Sequence, residues 1–400
     1  MRWIFPCGDN SSNATLEDDT IIRAGNQLPA EYKRERQKEA GMADVYERLR
    51  ERLDMFPQGF PKTESGVELE VLQHLFTPEE AEIMLHLRPR PEKLSAIAQR
   101  AGKDEAELGE TLYEMAKRGL ILRFKAPDNE LYYLLIPWVV GIFEFQLNNL
   151  TPENVELYER FYHEGMVPSW RDRKTGMFRV IPVEKEIQGG TEIQPYEQVS
   201  RIIDSNTRFA VAECVCRKES RMLGNGCDNL LEACMSFGTA AAFYIENGLG
   251  REISQEEARQ ILQKAEEDGL IHCSWNHAGN KDFICNCCGC CCKALALTAK
   301  YDNLGFVARS NYHATKDDDT CTTCGTCVER CQVGAIQIEN ELTVIDRKRC
   351  IGCGLCVSTC PTGSISMVRK LPDEAPAIFA NQRGMLQAMG TEKGKKFPFE

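Results

Sequence analysis

The chain has 400 residues, 42% of them hydrophobic and 27% charged, which suits two or three globular domains and excludes a disordered chain. A net charge of -12 disfavours wrapping a nucleic-acid backbone. The 20 cysteines sit in a chain whose first residues have one base, a very short apolar run and acids soon after, which is no secretory pattern, so a cytoplasmic location is expected, where dense thiols more often bind metal than pair as disulfides.

Residues 1–65 read as a helical arm whose charged stretch ends at Pro57, with Cys7 a bystander. Over 66–145 a compact pattern follows. Thr77, Pro78 and Glu80 open one helix with a capping box, a second breaks at Gly102, and a third runs from Asp104 to Gly119. Residues 120–135 then read as two strands joined at Pro127-Asp128-Asn129. Three helices and a two-stranded wing resemble the winged helix-turn-helix fold, which implies DNA binding or, alternatively, a module kept for protein contacts. The third helix carries five acids, Asp104, Glu105, Glu107, Glu110 and Glu114, against three bases, so nucleic acid is disfavoured as a partner. The apolar run 131–143 is too short to cross a membrane and contains Pro137. It reads as a buried strand or domain interface, the alternative being a peripheral membrane contact.

Residues 146–200 form a connecting, wrapping segment: one helix opened by Thr151 and Pro152, then an irregular run over 167–195. Residues 201–300 are expected to be a cysteine-rich α/β domain. A helix covers 196–206, a strand begins at 208, a helix covers 235–250, a helix is capped by Ser254 and Glu257, and a strand covers 270–273. The tail, 371–400, has room for one helix.

The strongest signal is an internal repeat of C-x2-C-x2-C-x3-C, starting at Cys321 and again at Cys350, with glycine four residues after each first cysteine. Three thiolates at this spacing wrap one face of a cubane cluster, and the fourth points to the neighbouring cluster. Residues 310–370 resemble the bacterial two-cluster ferredoxin. The resemblance implies one 4Fe-4S cluster on Cys321, Cys324, Cys327 and Cys360, and a second on Cys350, Cys353, Cys356 and Cys331. Proline follows the fourth cysteine in that family; Pro361 fits and Gln332 departs. The alternative, a pair of zinc sites, has no need of the pseudo-symmetry.

Eleven further cysteines lie between 214 and 292. Cys214, Cys216, Cys227 and Cys234 would suffice for one cluster, with Arg217 and Lys218 offsetting its charge. Read as a strand, the first two would face opposite ways, which strains a packing role. Cys285, Cys287, Cys288, Cys290, Cys291 and Cys292 fall within eight positions around Gly289, too crowded for one metal core. They read as ligands to more than one cluster or as ligands mixed with redox-active thiols. Cys287-Cys288-Gly289 is similar to the CCG motif of heterodisulfide reductases, and the 200–300 segment resembles that of multi-cluster iron-sulfur proteins of anaerobes. His272 and His277 beside Cys273 read as surface or hydrogen-bonded core rather than ligands. Neither a nucleophile triad, a phosphate loop nor a c-type haem motif occurs.

The fold expected is α+β and multidomain. The function expected is iron-sulfur electron transfer, or electron input to an anaerobic redox system, through two 4Fe-4S clusters and one or two more, with a redox partner protein or larger oxidoreductase complex. A redox-sensing DNA-binding regulator and a reductase using the thiols of 214–292 are the alternatives.

Overall fold

A computed structural model describes residues 44–126, 128–171, 173–187, 193–301 and 305–395. Cys7, the arm before residue 44 and Pro127 of the expected turn lie outside the described residues. The elements from Val45 onward belong to one compact unit, Val45–Glu400.

Helix α1 (44–54) is followed by α2 (Val67–Leu75) and α3 (Pro78–His86). The Thr77 hydroxyl accepts from Glu80 N and the Glu80 carboxylate accepts from Thr77 N, as the capping pattern predicts. After β1 (Glu92–Lys93), α4 (Leu94–Ala101) stops at Gly102, and α5 (Glu105–Lys117) starts at Asp104, whose carboxylate accepts from Ala106 N and Glu107 N. Strands β2 (Leu122–Lys125) and β3 (Leu131–Leu134) complete a small sheet of order β1-β3-β2. This sheet packs on its own chain. Arg123 is 5% exposed, faces Glu246 at 3.6 Å and donates to Asn247 Oδ1 at 3.2 Å.

The apolar run divides into β3 and an irregular helical segment that includes α6 (Phe143–Phe145). Leu135, Ile136, Trp138, Ile142 and Phe143 are buried, so the run is interior, and no helix among the described residues is long and apolar enough to cross a membrane. Helix α7 (Pro152–Phe161), boxed by Thr151 and Asn154, packs Tyr158 and Phe161 against Trp138. Helix α8 (Val167–Trp170) stacks Trp170 on Phe306 at 4.1 Å.

Beyond these helices lie β4 (Phe178–Ile181), α9 (Val199–Asp204), β5 (Phe209–Glu213), α10 (Val215–Met222), β6 (Glu232–Phe237), α11 (Gly238–Glu246) and β7 (Arg251–Ile253). There follow α12 (Gln255–Glu267), β8 (Ile271–Trp275), β9 (Phe283–Cys287), α13 (Lys293–Tyr301) and β10 (Val307–Ala308). The strands form one sheet of order β10-β4-β8-β9-β6-β5-β7, antiparallel except for β10 with β4. Two local expectations change. The run read as irregular supplies β4, buried at all four positions, its pattern masked by Arg179, whose buried guanidinium donates to Asn276 Oδ1 at 3.0 Å. Residues 235–237 are strand, because β6 continues along β5 and β9 before Gly238 turns the chain into α11.

The last module pairs β11 (Tyr312–Lys316) with β14 (Ile365–Arg369), and β12 (Ile336–Glu339) with β13 (Leu342–Ile345). Short helices α14 (Thr326–Arg330) and α15 (Leu355–Ser358) sit between, and α16 (Gln382–Glu392) forms the tail helix.

Candidate metal centres

The two halves of the cysteine repeat fold alike. Gly325 (φ 84°) precedes α14 and Gly354 (φ 83°) precedes α15, both in the left-handed region that glycine enters without strain. Each such turn lets a C-x2-C-x2-C run curl inward, and the β11–β14 ladder carries the end of the module back to its start. Cys321, Cys324 and Cys360 all come near Cys327: burial raises its pKa and their charges add to the rise. Cys353 is pushed up to about 12, first by burial and then by Cys331 and Cys350. Cys331, Cys350, Cys353 and Cys356 together line a cavity of about 20 Å³. Each fourth cysteine thus lies with the opposite half.

The two sets differ in surroundings. Cys324 is exposed and Cys321 and Cys360 are half-buried, whereas Cys350 and Cys356 are each 8% exposed. Hydroxyls crowd the outer sulfurs: Thr343 Oγ1 is 3.6 Å from Cys321, Thr326 Oγ1 3.5 Å from Cys324, and Ser364 Oγ 3.3 Å from Cys360. Burial opposes ionisation of Cys360, yet hydrogen bonds from Ser364 and Thr362 bring its thiol down to about 6. The inner Cys331 Sγ accepts from Ala335 N at 3.2 Å.

Gln332, the departure from the ferredoxin pattern, has a role here. Its Oε1 accepts from Gly289 N at 3.0 Å, and a Cβ on Gly289 would meet Gln332 O at 2.0 Å. The dicluster module and the "CNCCGCCC" segment therefore touch backbone to backbone. Arg349 strengthens the seam, donating to Val333 O at 2.9 Å and to Ala299 O of α13 at 3.4 Å.

Sheet register sorts the middle thiols. Cys273 on β8 pairs with Cys285 on β9, and Met235 on β6 pairs with Ile284, which sets Cys234 beside Cys285. Paired residues share a face, so these three form a row across adjacent strands, with Cys287 two positions along β9 on that same face. Cys285 is hydrogen-bonded to Cys234 and Cys287, and Cys287 also to Cys273 and Cys292. Cys292 Sγ lies 3.4 Å from Cys287 Sγ, and Cys216 joins Cys292 to Cys214. Cys214 caps α10 and Cys216 lies in its first turn, so they are not on a strand and both join the ring.

The ring encloses a cavity of about 60 Å³, walled by Cys216, Cys273, Cys285, Cys287 and Cys292 with Val139, Phe143, Glu144 and Trp170. Several waters would fit by size, but thiols and hydrocarbon offer them few partners. Hydrogen bonding to the next thiol, then burial, raises Cys214 and Cys285 well above the ordinary range. Metal binding would deprotonate them, so the donor set and the void fit an iron-sulfur core, with the Glu144 carboxyl and the Lys293 ammonium at its wall. Beside it the backbone is strained: Val140 has φ 54°, and Gly141 N donates to Glu144 Oε2 at 2.9 Å. Burial pushes the Glu144 carboxyl up to about 7.

Cys227 does not stay with Cys214, Cys216 and Cys234. Its sulfur lies 3.7 Å from Cys288 and 3.7 Å from Cys291, while Cys290 and Cys291 are 3.6 Å apart. Arg217, fully buried, donates to Asn286 O at 3.1 Å and to Cys288 Sγ at 3.6 Å, and it also feels the charge of Cys214. A hydrogen bond from Cys291 and the Arg217 charge hold the Cys288 thiol down at about 4, despite burial.

His272 is a satisfied core histidine, 2.6 Å from Asn286 Oδ1 and 3.4 Å from Glu266 Oε1. His277 packs by Lys281, and burial lowers it to about 4. Cys273 and Glu144 are the site residues that sequence reasoning passed over. Alternation along "LIHCSW" with the cysteines of β9 was the available signal for Cys273.

Residues 314–367, which span all eight repeat cysteines, match the 4Fe-4S dicluster domain family. No curated protein matches the chain. The dicluster match, a small share of the chain, and the cysteine-rich region before it make this an iron-sulfur protein.

Proposed function

We propose that the protein is an electron-transfer component in which the dicluster module exchanges electrons with a further iron-sulfur centre held by the cavity thiols. Cys321, Cys324, Cys327 and Cys360 would hold the outer cluster, and Cys350, Cys353, Cys356 and Cys331 the inner one. The third centre would draw its ligands from Cys214, Cys216, Cys234, Cys273, Cys285, Cys287 and Cys292, four of which suffice for a 4Fe-4S cluster. Bound clusters supply one-electron chemistry, and the chain tunes it through burial and hydrogen bonds to sulfur.

The observation that carries this reading is the seam between Gln332 and Gly289, which joins the residue after Cys331 to the segment that supplies Cys287 and Cys292. The outer set, whose Cys324 is exposed, is where a redox partner would exchange electrons, with the acidic chain favouring a basic partner surface. The helix-and-wing module at 66–145 is read as winged-helix-like, serving to wall the cavity rather than to read DNA. Its Val139, Phe143 and Glu144 line the cavity with the thiols, and Arg123 of its small sheet contacts Glu246 and Asn247. A potentiometric titration followed by EPR tests the proposal: a third reducible centre beyond the coupled pair is expected, and a protein with the pair alone contradicts it.

A further inference from the structure

Four thiols remain that neither the dicluster module nor the cavity uses. Cys227 comes from the loop before β6, and Cys288, Cys290 and Cys291 from the turn after β9. Their sulfurs all lie within 4.8 Å of one another, with close approaches of 3.7, 3.7 and 3.6 Å. We infer that this quartet binds a single thiophilic metal ion, zinc(II) or iron, in a tetrahedral tetrathiolate site distinct from the iron-sulfur clusters.

Four sulfurs at metal bonds of about 2.3 Å define a tetrahedron with an edge of about 3.8 Å, which the three close approaches match, and all six separations stay within 4.8 Å. Around a four-iron cube each thiolate sits on its own iron, pointing outward from a corner, so the sulfurs stand further apart. The chain carries its own comparison: among the described residues, the eight repeat cysteines form no group this tight, and neither do the cavity thiols.

Charge and position agree. Four thiolates around a divalent ion leave net negative charge, and the buried Arg217 guanidinium lies 3.6 Å from Cys288 Sγ to offset it. Cys288 and Cys291 are 1% and 3% exposed while Cys290 is exposed, so the ion would sit just beneath the surface. The site would tie the 223–231 loop to the turn that presents Gly289 to Gln332, stapling the seam rather than carrying electrons across it. The inference stands apart from the electron-transfer reading, because it uses none of the same ligands.

The test is elemental analysis with acid-labile sulfide on anaerobically purified wild-type chain and on Cys227→Ser and Cys290→Ser. Loss of one metal ion per chain with sulfide unchanged is the expected result. Loss of zinc identifies the zinc site, and loss of a sulfide-free iron with a high-spin ferric EPR signal identifies the iron one. Iron and sulfide lost in parallel, or no metal lost from either variant, overturns the inference. Should the variants not fold, X-ray absorption on the wild type decides. A mononuclear shell of sulfur alone supports it, and metal-metal scattering from every zinc and iron present overturns it.

Discussion

Substituting Gly289 by alanine tests the seam between the dicluster module and the thiol-rich turn. A methyl there would lie 2.0 Å from Gln332 O, against a practical minimum of 3.0 Å, so the two backbones must part by about 1 Å. Neither atom belongs to a flexible side chain, so overpacking of this kind costs roughly 1–3 kcal/mol. Parting also weakens the 3.0 Å hydrogen bond from Gly289 N to Gln332 Oε1, a contribution of about 0.5–1.5 kcal/mol. Gln332→Ala removes that bond alone and serves as the milder comparison. Thermal unfolding under argon, followed by cluster absorbance, should fall by about 2–6 °C for Gly289→Ala and by less for Gln332→Ala. Electron equilibration between the dicluster module and the third centre should slow in the same order. A Gly289→Ala protein that melts and equilibrates like wild type would show that the two segments are not in contact.

Ser364→Ala removes a hydroxyl 3.3 Å from Cys360 Sγ, a donor that favours the more negative, reduced cluster. The outer cluster's potential should drop, on the order of 20–60 mV, with the inner one unmoved; a rise, or an equal shift in both, would refute the assignment. Arg217→Met leaves Asn286 O and Cys288 Sγ without their buried cation, a loss of about 3–5 kcal/mol, read as a lower yield of folded, metal-loaded protein. Arg217→Lys should recover that yield only in part, since one ammonium cannot reproduce the forked contacts. In low-salt mobility-shift assays the intact chain should not retain duplex DNA, because α5 exposes Glu105, Glu107, Glu110 and Glu114; salt-sensitive retention would revive the regulator reading.

What was legible in the sequence was local. The capping signals at Thr77, Asp104, Thr151 and Ser254 depend on residues two to four apart, and each opens a helix as read. The cysteine repeat is equally local, which is why the glycine turn opening each short helix could be anticipated. The partition of the middle thiols was not local. Cys234 sits beside Cys285 through the β6–β9 register, between strands separated along the chain by α11, β7, α12 and β8. Cys227 leaves its sequence neighbours because Arg221 holds the intervening loop by donating to Cys227 O at 2.8 Å and Asn229 O at 2.7 Å. Spacing alone grouped Cys214, Cys216, Cys227 and Cys234, whereas the fold holds Cys234 by sheet register and draws Cys227 away on its loop. Gln332 likewise read as a blemish in a motif, since its partner Gly289 lies in another part of the chain.

The central claim is that iron-sulfur chemistry extends beyond the dicluster module into the cavity of Cys216, Cys273, Cys285, Cys287 and Cys292. Anaerobic quantification of iron and acid-labile sulfide, with EPR, tests it most directly. About twelve or more irons per chain with sulfide in proportion is the predicted result, while about eight irons would confine the clusters to the repeat and contradict the account.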